Sequence, residues 1–102
     1  MNIVLYKNDV LTLTFTLQQN GQPVDLTGAT VYFHLRSPGG TVIVSQQATI
    51  VSATEGKISV DIDNQVTGTA GIYIYEIEVQ TSAGDKYTAV KAVFTVSPAI
   101  KA

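Results

Sequence analysis

Residues 11–18, LTLTFTLQ, alternate without interruption: Leu11, Leu13, Phe15 and Leu17 fall on one side, Thr12, Thr14 and Thr16 on the other. A period of two is what a strand with one dry and one wet face requires, because successive side chains leave opposite sides of the pleat. The same period returns along the chain. TVYFHLRS places Val31, Phe33 and Leu35 inward and Tyr32, His34 and Arg36 outward, and KISVDID places Ile58, Val60 and Ile62 inward and Ser59, Asp61 and Asp63 outward. NIVLY, AGIYIYEIEVQ and YTAVKAVFTVS supply further Val-, Ile- and Tyr-rich runs, and Gly, Pro, Asn and Asp separate the runs at spacings of about ten residues, as in all-β sandwiches and barrels. SPGG and SAGDK are turns. TVIVSQ and QATIVS are two more strand candidates, whose phase is left open by the contiguous Val42, Ile43 and Val44. No stretch has a helical period, and the count predicts seven to eight strands.

Phase in GIYIYEIEV is decided by charge. If Ile72 and Ile74 faced the core, Glu76 and Glu78 would follow them, and a buried unpaired carboxylate costs several kcal/mol. Leaving an Ile exposed forfeits only about 1.5–3 kcal/mol. Tyr73, Tyr75, Ile77 and Val79 are therefore predicted inward, and Ile72, Ile74, Glu76 and Glu78 outward.

The 102 residues suffice for one domain, taken as residues 1–102, with a sizeable core. Hydrophobic residues make up 45% and charged residues 14%, a balance that folds rather than stays disordered. Six basic residues stand against eight acidic ones with no basic stripe, which argues against a nucleic-acid partner. The absence of cysteine removes disulfides, thiolate nucleophiles and thiolate metal sites. No run of about 18 apolar residues and no signal-peptide pattern is present, so no membrane partner or secretion is expected.

TAGIYIYEIEV resembles the F strand of immunoglobulin-like domains, where a corner tyrosine precedes a cysteine by two residues. Tyr73 matches the tyrosine, Tyr75 takes the cysteine position, Thr69 replaces the acidic residue, and there is no Trp. The resemblance implies an immunoglobulin-like antiparallel β-sandwich without a disulfide, in which the Tyr73 hydroxyl bonds to backbone at the corner. YKNDVLTLTFTL, GQPVDLTGATVYFHL, EGKISVDI and AGIYIYEIEV, in that order, resemble the N-terminal Ig-like domain of phage baseplate upper proteins, the BppU family, and related phage tail modules, from about Tyr6 to Val96. Members of that family commonly continue into a helical trimerising or attachment region, whereas this sequence ends at Ala102. The resemblance implies a virion protein of the tail or baseplate, made in the host cytoplasm.

Asp25, in QPVDLTG, invites a catalytic reading. Asn20-Gly21 tolerates positive φ and turns the chain, Pro23 stiffens the exit, and Leu26 can anchor in the core. The Asp25 carboxylate is expected to accept from the N–H of Thr27 or Gly28 in an Asx-type turn, a structural role. His34 lacks the second His or Cys of a zinc site and has no G-x-S-x-G nucleophile to activate. Asp61, Asp63 and Asn64 could offer oxygens to calcium, but the EF-hand spacing and its Gly are missing. Glu76 and Glu78 lie about 7 Å apart on one strand face, not across a cleft as glycosidase carboxylates do. Pairing of these acids with Lys91 is the plainer expectation. No catalytic, metal or cofactor site is therefore assigned, and no enzymatic activity is expected.

The outer face of the C, F and G strands remains. Tyr32, His34, Arg36, Ile72, Ile74 and Glu76 would share it if those strands are neighbours, and this mixture is the composition of protein interfaces. The expected function is a structural module acting through contacts with other phage proteins or with further copies of itself, aided by strand addition at NIVLY or TVIVSQ. The alternative is recognition of host-surface glycans through Tyr6, Tyr32 or Tyr87, a case weakened by the lack of Trp.

Overall fold

Alternation sorts the side chains into two layers, and turn residues decide where the chain changes layer. The computed structural model describes residues 2–98; Met1 and residues 99–102, including the chain end at Ala102, lie outside the described residues. The elements in order are β1 (Ile3–Tyr6), β2 (Leu11–Thr16), β3 (Gln18–Gln19), β4 (Gln22–Pro23), β5 (Thr30–Arg36), β6 (Val42–Gln47), β7 (Thr49–Ser52), β8 (Lys57–Ile62), α1 (Asn64–Thr67), β9 (Gly71–Gln80) and β10 (Lys86–Ser97). Eight strands are the expected runs. β3 and β4 raise the number to ten. They form a two-residue ladder around Asn20 and Gly21, whose φ angles of 54° and 78° make a tight hairpin turn too short for alternation to reveal. α1 was likewise invisible as a period, being one turn long. The Asp63 carboxylate caps it by accepting from Gln65 N at 2.9 Å.

A five-stranded sheet runs β1-β10-β9-β5-β6 and faces a three-stranded sheet, β2-β8-β7. With β2, β8 and β7 as the B, E and D strands and β5, β9 and β10 as C, F and G, this is an immunoglobulin-like sandwich. One pair departs from the antiparallel expectation. β1 runs parallel to β10, because the chain next crosses to the opposite sheet as β2. A second crossing separates β6 from β7 at the single residue Ala48, whose buried N–H donates to Val31 O at 2.8 Å.

The predicted phases of β5, β8 and β9 hold: Val31, Phe33 and Leu35, Ile58, Val60 and Ile62, and Tyr73, Tyr75, Ile77 and Val79 are all buried. Leu11, expected inward, is exposed. It opens β2 opposite Ile62, at the end of the sheet, where no further strand residue covers it. At the centre, Tyr75 lies 6.0 Å from both Phe15 and Phe33 and 6.1 Å from Phe94, ring centre to ring centre. Phe15 comes from the three-stranded sheet and the other three rings from the five-stranded one. Aromatic packing thus joins the layers where the antibody-type domain has its disulfide and Trp. Burial in this cluster pushes the Tyr75 phenol up from its ordinary value.

Candidate functional site

β9 runs through the middle of the five-stranded sheet, so its outward residues Ile74, Glu76 and Glu78 meet two neighbours each, and Ile72 meets one. Against β5, Glu78 faces Tyr32, Glu76 faces His34 and Ile74 faces Arg36; against β10, Glu76 faces Lys91, Ile74 faces Val93 and Ile72 faces Thr95. The six residues singled out from the sequence therefore do share a face. Beyond Thr95 in the same row stands Val4 of β1. The face has two halves of different chemistry.

In the polar half, Arg36 Nε donates to Glu76 Oε1 at 2.5 Å and Arg36 Nη1 to Gly40 O at 3.4 Å. His34 Nε2 lies 3.5 Å from Glu78 Oε1, and its Nδ1 lies 2.8 Å from Ser45 Oγ on β6. The imidazole also stacks on Tyr32, the ring centres 6.2 Å apart and the planes inclined by 18°. Arg36 and His34 each reach diagonally, one pair along the ladder from their direct opposites. Lys91, expected to pair with these acids, does stand opposite Glu76, but Arg36 takes that carboxylate; among the described residues Lys91 has no ion pair. Tyr32, His34, Arg36 and Glu76 are consequently half-buried by one another, not openly displayed.

The apolar half consists of Ile72, Ile74, Val93 and Val4, with Thr95 between them. Ile72 and Val4 are 60% and 61% exposed, values that leave most of each side chain in water. Val4 and Val93 escaped the sequence reading. The phase of β10 was open to the charge argument that fixed β9, since Lys91 precedes Val93 by two. Val4 joins only through the parallel register of β1, which alternation does not encode.

Asp25, Gly28 and Tyr73 are not part of this face. Asp25 Oδ1 accepts from Thr27 N at 3.0 Å and from Thr27 Oγ1 at 2.6 Å, the Asx-type turn anticipated. The Thr27 hydroxyl, and after it the Thr27 N–H, holds this carboxyl below its ordinary value. Gly28 sits at φ 74°, and a Cβ there would lie 3.1 Å from Ser82 Cβ. The Tyr73 ring points into the core, and its hydroxyl donates to Thr69 O at 2.8 Å. Of the calcium candidates, Asp61 accepts from Thr12 Oγ1 at 2.9 Å while Asp63 caps α1. Among the described residues no three His, Asp or Glu side chains converge to hold a metal.

Residues 2–102 match the BppU N-terminal domain. The chain belongs to the BppU N-terminal domain family. Solved structures add likeness of fold to this BppU-type domain. The N-terminal domain of phage TP901-1 ORF48 superposes with a TM-score of 0.73 at 12% identity, covering 94% of this chain and 82% of that one. CopC from Methylosinus trichosporium OB3b does so with a TM-score of 0.62 at 16% identity, covering 99% and 88%. No curated protein matches the sequence.

Proposed function

We propose that this BppU-type domain is a structural module of a phage particle, in the tail or baseplate, that works as a single rigid sandwich by binding other phage structural proteins and further copies of itself, without a reaction of its own. One observation carries the reading: four aliphatic side chains, Val4, Ile72, Ile74 and Val93, surround Thr95 on the outer face of the five-stranded sheet, beside a polar half in which Arg36 pairs with Glu76 and His34 lies against Glu78. Burial of the apolar half is favourable at about 25 cal/mol per Å² of apolar surface. A symmetric particle repeats the contact, so modest single affinities add up. Family membership supports the setting, the virion; synthesis in the host cytoplasm is part of the same proposal. A net formal charge of −2 without a basic stripe favours protein partners over nucleic acid.

Edge strands β1 and β6 end the five-stranded sheet, and each offers an open ladder for strand addition. For the glycan alternative, Tyr6 and Tyr87 share no platform. Tyr6 pairs with Ser97 at the end of β10 and Tyr87 is the second residue of that strand, so the two positions stand roughly 30 Å apart at the strand rise of a β-sheet.

Light scattering on the purified domain, alone and mixed with the neighbouring tail proteins, tests the proposal. The domain should form an oligomer or a partner complex that Ile72→Asp with Ile74→Asp abolishes, while the circular dichroism spectrum stays that of the folded sandwich. Unchanged mass and partner binding in that double variant would overturn it.

A further inference from the structure

Four asparagines occur in the chain, at positions 2, 8, 20 and 64. Each could lose its side-chain amide if the backbone nitrogen of the next residue attacked it, and the structure treats the four nitrogens differently. Asp9 N, after Asn8, donates to Tyr6 O at 3.0 Å, and Gln65 N, after Asn64, donates to the Asp63 carboxylate at 2.9 Å. Asn2 is followed by the β-branched Ile3, and its own amide oxygen accepts from Val93 N at 3.2 Å. Gly21 N, after Asn20, is held by no hydrogen bond among the described residues, and neither is the Asn20 amide.

The surroundings of Asn20 favour closure further. Both turn residues are exposed, and a Cβ built on Gly21 would meet nothing within 4 Å, so no neighbour blocks the approach of nitrogen to amide. Cyclisation requires the Asn20 backbone to rotate out of its turn conformation. Only two residue pairs resist that rotation, Gln18 with Pro23 and Gln19 with Gln22, and Pro23 brings no N–H to the ladder.

We propose that the Asn20-Gly21 turn is a site of spontaneous deamidation and backbone isomerisation in the folded protein. Gly21 N gives its proton to solvent and bonds to Asn20 Cγ, closing a five-membered succinimide; the Cγ–Nδ2 bond breaks, and Nδ2 leaves with a proton as ammonia. Water then opens the ring at one carbonyl or the other, yielding aspartate or iso-aspartate at position 20. Either product adds a negative charge to the hairpin tip. The iso-aspartate also adds a methylene to the main chain, which breaks the Gln19–Gln22 register. The base of the hairpin holds: Leu17 N donates to Gly56 O at 2.8 Å, Val24 N donates to Leu17 O at 2.9 Å, and Leu17 and Leu26 are buried. None of these residues belongs to the outer face, so the site stands apart from the proposed function.

The test is peptide mapping by mass spectrometry on folded protein kept at mildly alkaline pH for several weeks, with fragmentation that separates aspartate from iso-aspartate. Position 20 should convert at least about tenfold faster than positions 2, 8 and 64, as a following residue without a side chain permits, and Asn20→Gln should remove that conversion. A synthetic peptide covering residues 16–25 sets the unfolded rate. Conversion of position 20 in the folded protein more than about tenfold slower than in that peptide, or no faster than at the other three asparagines, would overturn the inference, since it would show that the turn keeps its nitrogen away from the amide.

Discussion

Gly56 closes the turn between β7 and β8 with φ 69°, and a Cβ there would lie 2.6 Å from Leu17 O and 2.9 Å from Val24 O. Both oxygens belong to the backbone at the base of the β3–β4 hairpin and cannot swing aside. The left-handed conformation alone costs an L-residue about 1–2 kcal/mol. Gly56→Ala is therefore expected to lose at least that much, with the steric displacement added, read as a fall in the urea midpoint at unchanged slope. Asp25 gives a prediction in pH. Its folded carboxyl titrates below that of an unfolded aspartate, so its stabilising contribution is complete above the ordinary value of about 3.9 and fades as pH falls through the lower folded one. Asp25→Ala should lower the urea midpoint at neutral pH, and the gap from the unsubstituted protein should narrow on acidification to about pH 3. A gap independent of pH would show that the carboxylate charge does not contribute. Because Asp25 is solvent-exposed, the effect is small.

Among the elements, those with strict alternation were legible and the short or edge ones were not. β2, β5 and β8 each set an apolar row against mostly polar residues, and β9 does so from Glu76 onward, so their phase follows from the cost of burying Thr, Asp or Glu. β6 and β7 lie at the margins of different sheets, with the chain crossing at Ala48, and Val42 and Ile43 are both exposed beside a register shift. No single period describes a segment that changes sheets. The site was half legible for the same reason: β5 and β9 could be phased, whereas the neighbour of β10 depends on a parallel pairing between the two ends of the chain. The polar half also shows what strand order adds. Arg36 and Glu76 are 36% and 17% exposed at their side chains, too open for a large ion-pair energy. A double-mutant cycle with Arg36→Met and Glu76→Gln should give a coupling of about 0.2–1 kcal/mol that shrinks in high salt. A coupling above this range would mean that the pair is drier than the structure shows.

At the scale of the whole molecule, the proposed association raises the question of which half of the outer face would drive it. A partner that covers the polar half must desolvate Arg36, Glu76, His34 and Glu78, groups that already satisfy one another, and so gains little for the water it displaces. A partner that covers Val4, Ile72, Ile74 and Val93 displaces water from side chains that have no other use for it. Under the proposed function the polar half would then set orientation and the apolar half affinity. Two consequences separate this account from an electrostatic one. Raising the salt concentration several-fold should leave the dissociation constant within about threefold, because exposed charges are screened while apolar burial is not. Ile72→Asp should weaken binding at least about tenfold, equivalent to about 1.4 kcal/mol, whereas Lys91→Ala, the removal of an unpaired surface cation, should change it less than about threefold. Neither substitution should shift the urea midpoint much, since both side chains project into solvent. Titration calorimetry at low and high salt reads all of these binding terms together. A strong salt dependence with Lys91 dominant would move the contact to the charged flank of β10 and leave the exposure of Ile72 without a role.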